Sequence, residues 1–251
     1  FTYYNLLGLI IGYLISQLLL LIYFFYKNNS TFYIPKLNEI KKGIRKNSSI
    51  IKFLLPSNII SSLATNLMPI LILAIFGAKE AGVYFFSIKI LGMPLFLISS
   101  SVSQVFYQKS SELYKKNKKE LLKLTKTIVK TNLLIMLVLL ILINTLGIYV
   151  LEIFFDKNWS NVRLYTLILY ILICARASYN PISSLIVVID KNHMGLIFNT
   201  YLFIINIIAI YFGYLYNSII ITILILAIFG GIGYITLFGF LLKYLKKIAT
   251  N

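Results

Sequence analysis

The sequence predicts an all-α polytopic membrane protein with about seven transmembrane helices. Three observations predict it. Hydrophobic residues make up 59% of the 251 positions and charged residues only 12%, where a soluble domain carries about 25% charged residues; the mean hydropathy is +0.88. Seven segments stay apolar over the roughly 20 residues that a helix needs to cross a bilayer. Finally, the basic residues sort to alternate gaps between those segments. Of 24 Lys and Arg, seven lie in 27–52, eight in 109–130, one at Lys191 and three in 243–247. Lys79, Lys157 and Arg163 alone fall in the opposite gaps, and Lys89 and Arg176 fall inside apolar spans. A soluble chain has no reason to sort charge this way. A polytopic chain does, because Lys and Arg flanking the spans stay cytoplasmic.

The predicted spans cover residues 3–26, 53–76, 83–107, 131–155, 164–189, 194–215 and 219–242. Their apolar runs are continuous and do not alternate, so they read as helices and not as barrel strands. With the basic gaps inside, the first residue starts outside and the last ends inside. That odd number of crossings fits a fragment that begins partway through a larger bundle. Residues 27–52 read as a polar, basic linker, and the last six spans read as one compact unit. The external gaps 77–82, 156–163 and 216–218 are too short for an external domain. The gap 109–130 is Lys-rich with helical character, and Glu112 and Glu120 stand four and three residues before Lys116 and Lys123, spacings that allow pairing on a helix. Trp159, near Phe154, Phe155 and Tyr165, reads as an anchor of the interfacial aromatic belt.

Several function classes fall away on composition. The net charge of +17 is explained by topology and by anionic lipid headgroups, so nucleic acid is not an expected partner. With one cysteine, Cys174, and one histidine, His193, no internal disulfide, cysteine-rich metal site, CxxC or HExxH motif can form. No cofactor is expected. The chain opens at Phe1 directly in an apolar segment, with neither a charged n-region nor a small-residue cleavage site; a signal peptide is not expected, and upstream residues are.

The polar residues inside the spans are the candidates for function. Arg176 lies 13 positions after Arg163 and 14 before Asp190, about 20 Å of helix from either end. Snorkelling does not easily cover that distance. A charge there costs about 2.5 kcal/mol or more, so it is expected to face a partner or a water-filled cavity. Tyr179, Asn180 and Ser183 follow at three, four and seven residues and extend a polar stripe, while Pro181 predicts a kink. The structural alternative ties Arg176 to backbone carbonyls or to Glu152. Lys89 lies six residues beyond Val83, about 9 Å into its span. It either lines the outer half of a cavity or snorkels to the surface. Its helix also carries Gly92, Pro94, Ser99, Ser100, Ser101, Ser103 and Gln104, a composition that serves close helix packing. In the span 53–76, Asn58, Ser61, Ser62 and Thr65 are placed on one face between Pro56 and Pro69. Two prolines predict a bent or mobile helix, and helix-to-helix hydrogen bonding is the alternative role for its polar face. His193 reads as a solvated turn residue, Cys174 as a packing residue, and Glu152 and Asp156 as boundary carboxylates open either to solvent or to a coupling ion.

Between residues 53 and 113 the chain reads FLLPSNIISSL, then FGAKEAGVYFFSIKILGMPLFLISSSVSQVFYQKSSEL. In the order of these elements, from the FG-x3-AG-x-Y turn through a basic residue, Leu-Pro and SxSQVFYQ, it resembles the polysaccharide transporters of the multidrug/oligosaccharidyl-lipid/polysaccharide exporter superfamily. These include the Wzx-type flippases of O-antigen and capsule repeat units, proteins of lipopolysaccharide and surface-polysaccharide assembly. FDKNWSNVRLY resembles a hairpin of the same family. The resemblance implies a MATE-like fold of two six-helix lobes facing each other across a cavity. Residues 1–26 would be the last helix of the N-terminal lobe, 27–52 the cytoplasmic linker, and 53–251 the C-terminal lobe. It further implies a transporter and not an enzyme, set in the bacterial cytoplasmic (inner) membrane with the C-terminus cytoplasmic.

The implied substrate is an undecaprenyl-diphosphate-linked oligosaccharide, flipped by alternating access. Implied partners are that lipid-linked diphosphate, membrane lipids and other membrane proteins of polysaccharide assembly. Lys89 matches a family position that is often basic. The expected substrate-binding set is Arg176, Lys89, Tyr179, Asn180, Asn58, Thr65 and Gln104. Two alternatives stay open: an exporter of drugs or of another lipid-linked substrate from the same superfamily, or a membrane enzyme of polysaccharide assembly. The first is opposed for drugs by the absence of acidic residues from the middle of any span. The second is opposed by the short external gaps.

Overall fold

The computed structural model of the chain describes residues 4–27, 35–147 and 161–250. It divides into two units, Phe1–Lys46 and Asn47–Asn251. The first holds α1 (Tyr4–Lys27) and the short helix α2 (Leu37–Lys46). The second holds α3 (Leu55–Lys116), α4 (Lys118–Leu142), α5 (Val162–Tyr179), α6 (Leu185–Val188), α7 (Asn192–Leu215) and α8 (Ile219–Thr250). Among the described residues, six helices are long and apolar enough to cross a membrane. The chain is an all-α, multi-pass membrane protein. Side chains such as Leu63, Phe96, Leu97, Ile171 and Ile235 stand exposed, a costly arrangement in water that costs nothing against lipid tails.

Seven crossings were expected, and the difference lies in α3. Its 62 residues are helical throughout except at Gly77, where φ is 85° and ψ 173°. An L side chain rarely adopts that conformation. The chain folds back there, because side chains on both sides of Gly77 pack into one core around Met68, Ile72, Val83, Tyr84 and Leu91. The gap 77–82, expected to be external, is therefore one non-helical residue, followed at once by Ala78, Lys79, Glu80 and Ala81, which are helix formers. The Glu80 carboxylate accepts a hydrogen bond from the buried Tyr165 hydroxyl and ties this turn to α5.

The expected Lys-rich helical segment is a second hairpin. The chain breaks only at Asn117, whose side chain accepts from the Glu120 N–H at 3.1 Å and starts α4. Glu112 pairs with Lys116 at 2.8 Å as its spacing predicted. Glu120 instead belongs to the cap at Asn117. A π-turn over Ile50–Leu54 precedes Pro56, with the Leu55 N–H bonded to the Ile50 carbonyl; this wider turn stands where the proline lacks an N–H. Pro69 and Pro94 lie inside α3 without non-helical dihedrals.

In the core of the larger unit, α5 packs against α8, α3 and α4, and α7 packs against α3 and α8. Small residues permit the close approach of α7 and α8. A β-carbon on Gly233 would lie 2.5 Å from the Tyr201 ring, and the Tyr201 hydroxyl donates to the Phe229 carbonyl at 2.8 Å.

Candidate functional site

Pro181 shapes the site. It has no N–H to give the Ala177 carbonyl four residues back, which weakens α5 at this point. The helix ends at Tyr179 and the chain tightens into a 3-10 turn over Asn180–Ile182. The polar stripe expected from 176 to 183 is therefore cut after Tyr179. The orphaned carbonyl is taken by another helix: Asn132 of α4 is buried and donates its Nδ2 to the Ala177 oxygen at 2.7 Å. Arg176 thus stands in the last turn of α5, braced from behind by a buried amide.

The Arg176 side chain enters a cavity of about 700 Å³ between the two limbs of α3, α5, α7 and α8. Its Nε donates to the Tyr234 hydroxyl at 3.0 Å, and its Cζ lies 5.7 Å from the centre of the Tyr234 ring. Tyr234 is itself held in an aromatic cluster, 4.8 Å from Phe198 and 6.0 Å from Tyr179 between ring centres. Tyr179 supports the arginine's partner and is not part of the cavity wall. With Nε used and no described residue partnering the terminal guanidinium nitrogens, these are the donors open to a ligand, and a planar fork of this kind suits a phosphate.

Lys89 lines the same cavity from the second limb of α3, exposed, with Nζ 5.1 Å from the Phe85 ring centre. Thr65 lines it from the first limb, with Ser61 and Asn66. The Thr65 hydroxyl donates to the Ser61 carbonyl at 2.9 Å and the Asn66 amide to the Ser62 carbonyl at 2.9 Å, which leaves their oxygens as acceptors. Among the described lining residues there are two cations and no carboxylate.

Of the expected set, the structure brings Arg176, Lys89 and Thr65 together. Asn180 sits in the 3-10 turn beyond the wall. Asn58 is exposed on a neighbouring shallow groove with Ser62 and Asn66. Gln104 is exposed and away from the cavity. Glu152, Asp156 and Trp159 lie outside the described residues. His193 is exposed, as expected, its ring 6.1 Å from Phe53.

Three wall residues escaped the sequence reading: Asn199, Asn206 and Tyr234. Asn199 donates to the Ser57 hydroxyl at 2.8 Å, and Asn206 to the Ala64 carbonyl at 2.7 Å. The latter bond lies beside Thr65, whose carbonyl Pro69 deprives of its helical donor. The two asparagines stand seven residues apart in an apolar helix, hence on one face; that spacing was the available signal.

A multi-pass helical membrane protein whose cavity has two cations and no carboxylate among its described lining residues is the class that this geometry defines. The family comparison narrows it. The family model described as "Polysaccharide biosynthesis protein" matches residues 1–163, and the chain belongs to that family. The match takes in Thr65 and Lys89 and ends before Arg176. No curated protein and no solved structure matches the chain.

Proposed function

We propose that this protein carries a lipid-linked oligosaccharide diphosphate across the bacterial cytoplasmic membrane, as the Wzx-type flippases that it resembles do. The observation that carries the reading is the cavity wall. Arg176 is fixed through Nε on Tyr234 with its terminal nitrogens spare, Lys89 stands in the same space, and no described wall residue is acidic. Arg176, deep in its span, is costly there unless an anion meets it, and Lys89 adds a second positive charge to the same space. A diphosphate would supply that charge, while Thr65, Asn66, Asn199 and Asn206 offer acceptors and donors to sugar hydroxyls.

In this reading residues 53–251 form the C-terminal lobe of a MATE-like pair, linked through 27–52 to a partner lobe that ends in α1. The lysine-rich gaps and the C-terminus face the cytoplasm. The lobes rock about the cavity to open it to one side at a time. The protein provides charge neutralisation and hydration substitutes and makes or breaks no bond.

The test uses cells whose chromosomal gene carries Arg176→Ala. Lipid-linked repeat units are expected to accumulate on the cytoplasmic leaflet while surface glycan disappears, with protein level in the membrane unchanged. Normal surface glycan in that strain would sink the assignment.

A further inference from the structure

Within its own unit, no described residue buries the apolar face of α2. Leu37, Ile40 and Ile44 recur at three and seven residues, so they share one side. They are 72%, 45% and 49% exposed. The rest of the surface is basic: Lys41, Lys42, Arg45 and Lys46 cover the flank and back, against one acid, Glu39. That acid is spent at the helix start, where it accepts from the Lys36 N–H at 2.9 Å. None of the ten residues of α2 is buried.

An exposed apolar stripe with a cationic back has two possible coverings, protein or a lipid surface. Charge and tether decide between them. Nine residues separate Lys27, the end of a membrane-crossing helix, from Leu37, so α2 lies within roughly 35 Å of chain from the end of α1. On the other side only residues 47–49 precede the π-turn that leads into α3. Both ends of α2 are thus held near a bilayer surface. A protein groove built to hold three aliphatic side chains has no need of four cations around them. An anionic headgroup layer over hydrocarbon matches both faces at once.

We infer that α2 is an interfacial anchor for anionic lipid, lying flat with Leu37, Ile40 and Ile44 in the acyl boundary and Lys41, Lys42, Arg45 and Lys46 among phosphates. Three aliphatic side chains are too few to hold the helix down unaided, so its docking depends on lipid charge. Lys41 and Arg45, next to the stripe, reach headgroups along their alkyl stems. The inference is independent of what the cavity carries.

The experiment places the full chain, with Cys174→Ala, in nanodiscs of brominated phosphatidylglycerol or equally brominated phosphatidylcholine. A bimane label is attached at Ile44→Cys or, on the polar side, at Asn38→Cys. The label at 44 is expected to be quenched several-fold more than that at 38 in phosphatidylglycerol. The excess is expected to vanish in phosphatidylcholine and at about 1 M salt, where charge is screened within about 3 Å. Replacing Lys41, Lys42, Arg45 and Lys46 together by Gln is expected to lower the docked-to-free ratio by about a thousandfold, with thermal unfolding of the protein unchanged. Equal quenching at 44 in both lipids would overturn the role of lipid charge. A label at 44 that neither lipid quenches would assign the face to protein or water and overturn the anchor.

Discussion

Arg176 and Lys89 enter one cavity from two kinds of support. Arg176 stands at a helix end that Pro181 breaks and Asn132 repairs, and Tyr234 fixes its Nε. Lys89 stands in the second limb of α3 with an exposed ammonium that rests over Phe85. One cation has its direction set before a ligand arrives, and the other has a flexible four-carbon stem. The pair teaches that position in a span does not determine what a charge can do; the groups behind it do. A fixed fork selects geometry, and a mobile ammonium attracts.

The largest effect should come from removing the fixed cation. Under the proposed function, Arg176→Ala is expected to lower transport of the lipid-linked repeat about a hundredfold, the loss of about 3 kcal/mol of charged hydrogen bonding. Arg176→Lys should recover little of it, since an ammonium has no planar fork and no Nε for Tyr234. Outer-leaflet appearance of the repeat is the measurement. Full recovery by lysine would reduce the contrast with Lys89 to charge alone.

Next in size is the brace. Asn132→Ala leaves the buried Ala177 carbonyl without a donor and is expected to cost about 1–3 kcal/mol, read as a lower midpoint in detergent unfolding. Pro181→Ala restores the N–H that could take that carbonyl. In its background the Asn132→Ala cost should shrink, with a coupling of about 1 kcal/mol. Additive costs would show that the amide does not serve the proline gap.

These residues also mark what could be read from sequence. The spans were legible because length and apolarity alone decide a crossing, and Arg176, Lys89 and Thr65 because polar groups stand out there. Gly77 as a one-residue turn was not legible: the helix formers after it fill what reads as a loop. Pro181 announced a kink where the helix in fact ends, and the repair by Asn132, 45 residues away from Ala177, depends on how α4 packs on α5. Tyr234 is one of 19 tyrosines, and nothing local distinguishes the one that meets the arginine. Asn199 and Asn206 were visible in principle, as polar residues one heptad apart.

Tyr234→Phe tests direction without removing charge. The aromatic cluster keeps its shape, and only the acceptor for Arg176 Nε is lost. Transport is expected to fall about tenfold, near 1.4 kcal/mol, with the unfolding midpoint almost unchanged. No fall would show that the guanidinium finds its place without the hydroxyl.

The smallest effect is expected at Lys89. An exposed ammonium is screened by water and salt, and pairs of that kind contribute about 0.2–1 kcal/mol. Lys89→Gln should therefore reduce transport by about two- to fivefold. Because the ammonium attracts without orienting, the loss should appear as a higher half-saturating substrate level with an unchanged maximal rate. It should also diminish in high salt, where the wild-type advantage is already screened. Arg176 variants should behave oppositely, losing maximal rate with little dependence on salt. A Lys89→Gln defect as deep as Arg176→Ala, or one confined to the maximal rate, would mean that the lysine is held as firmly as the arginine in the loaded protein. The two supports would then differ only before the substrate arrives.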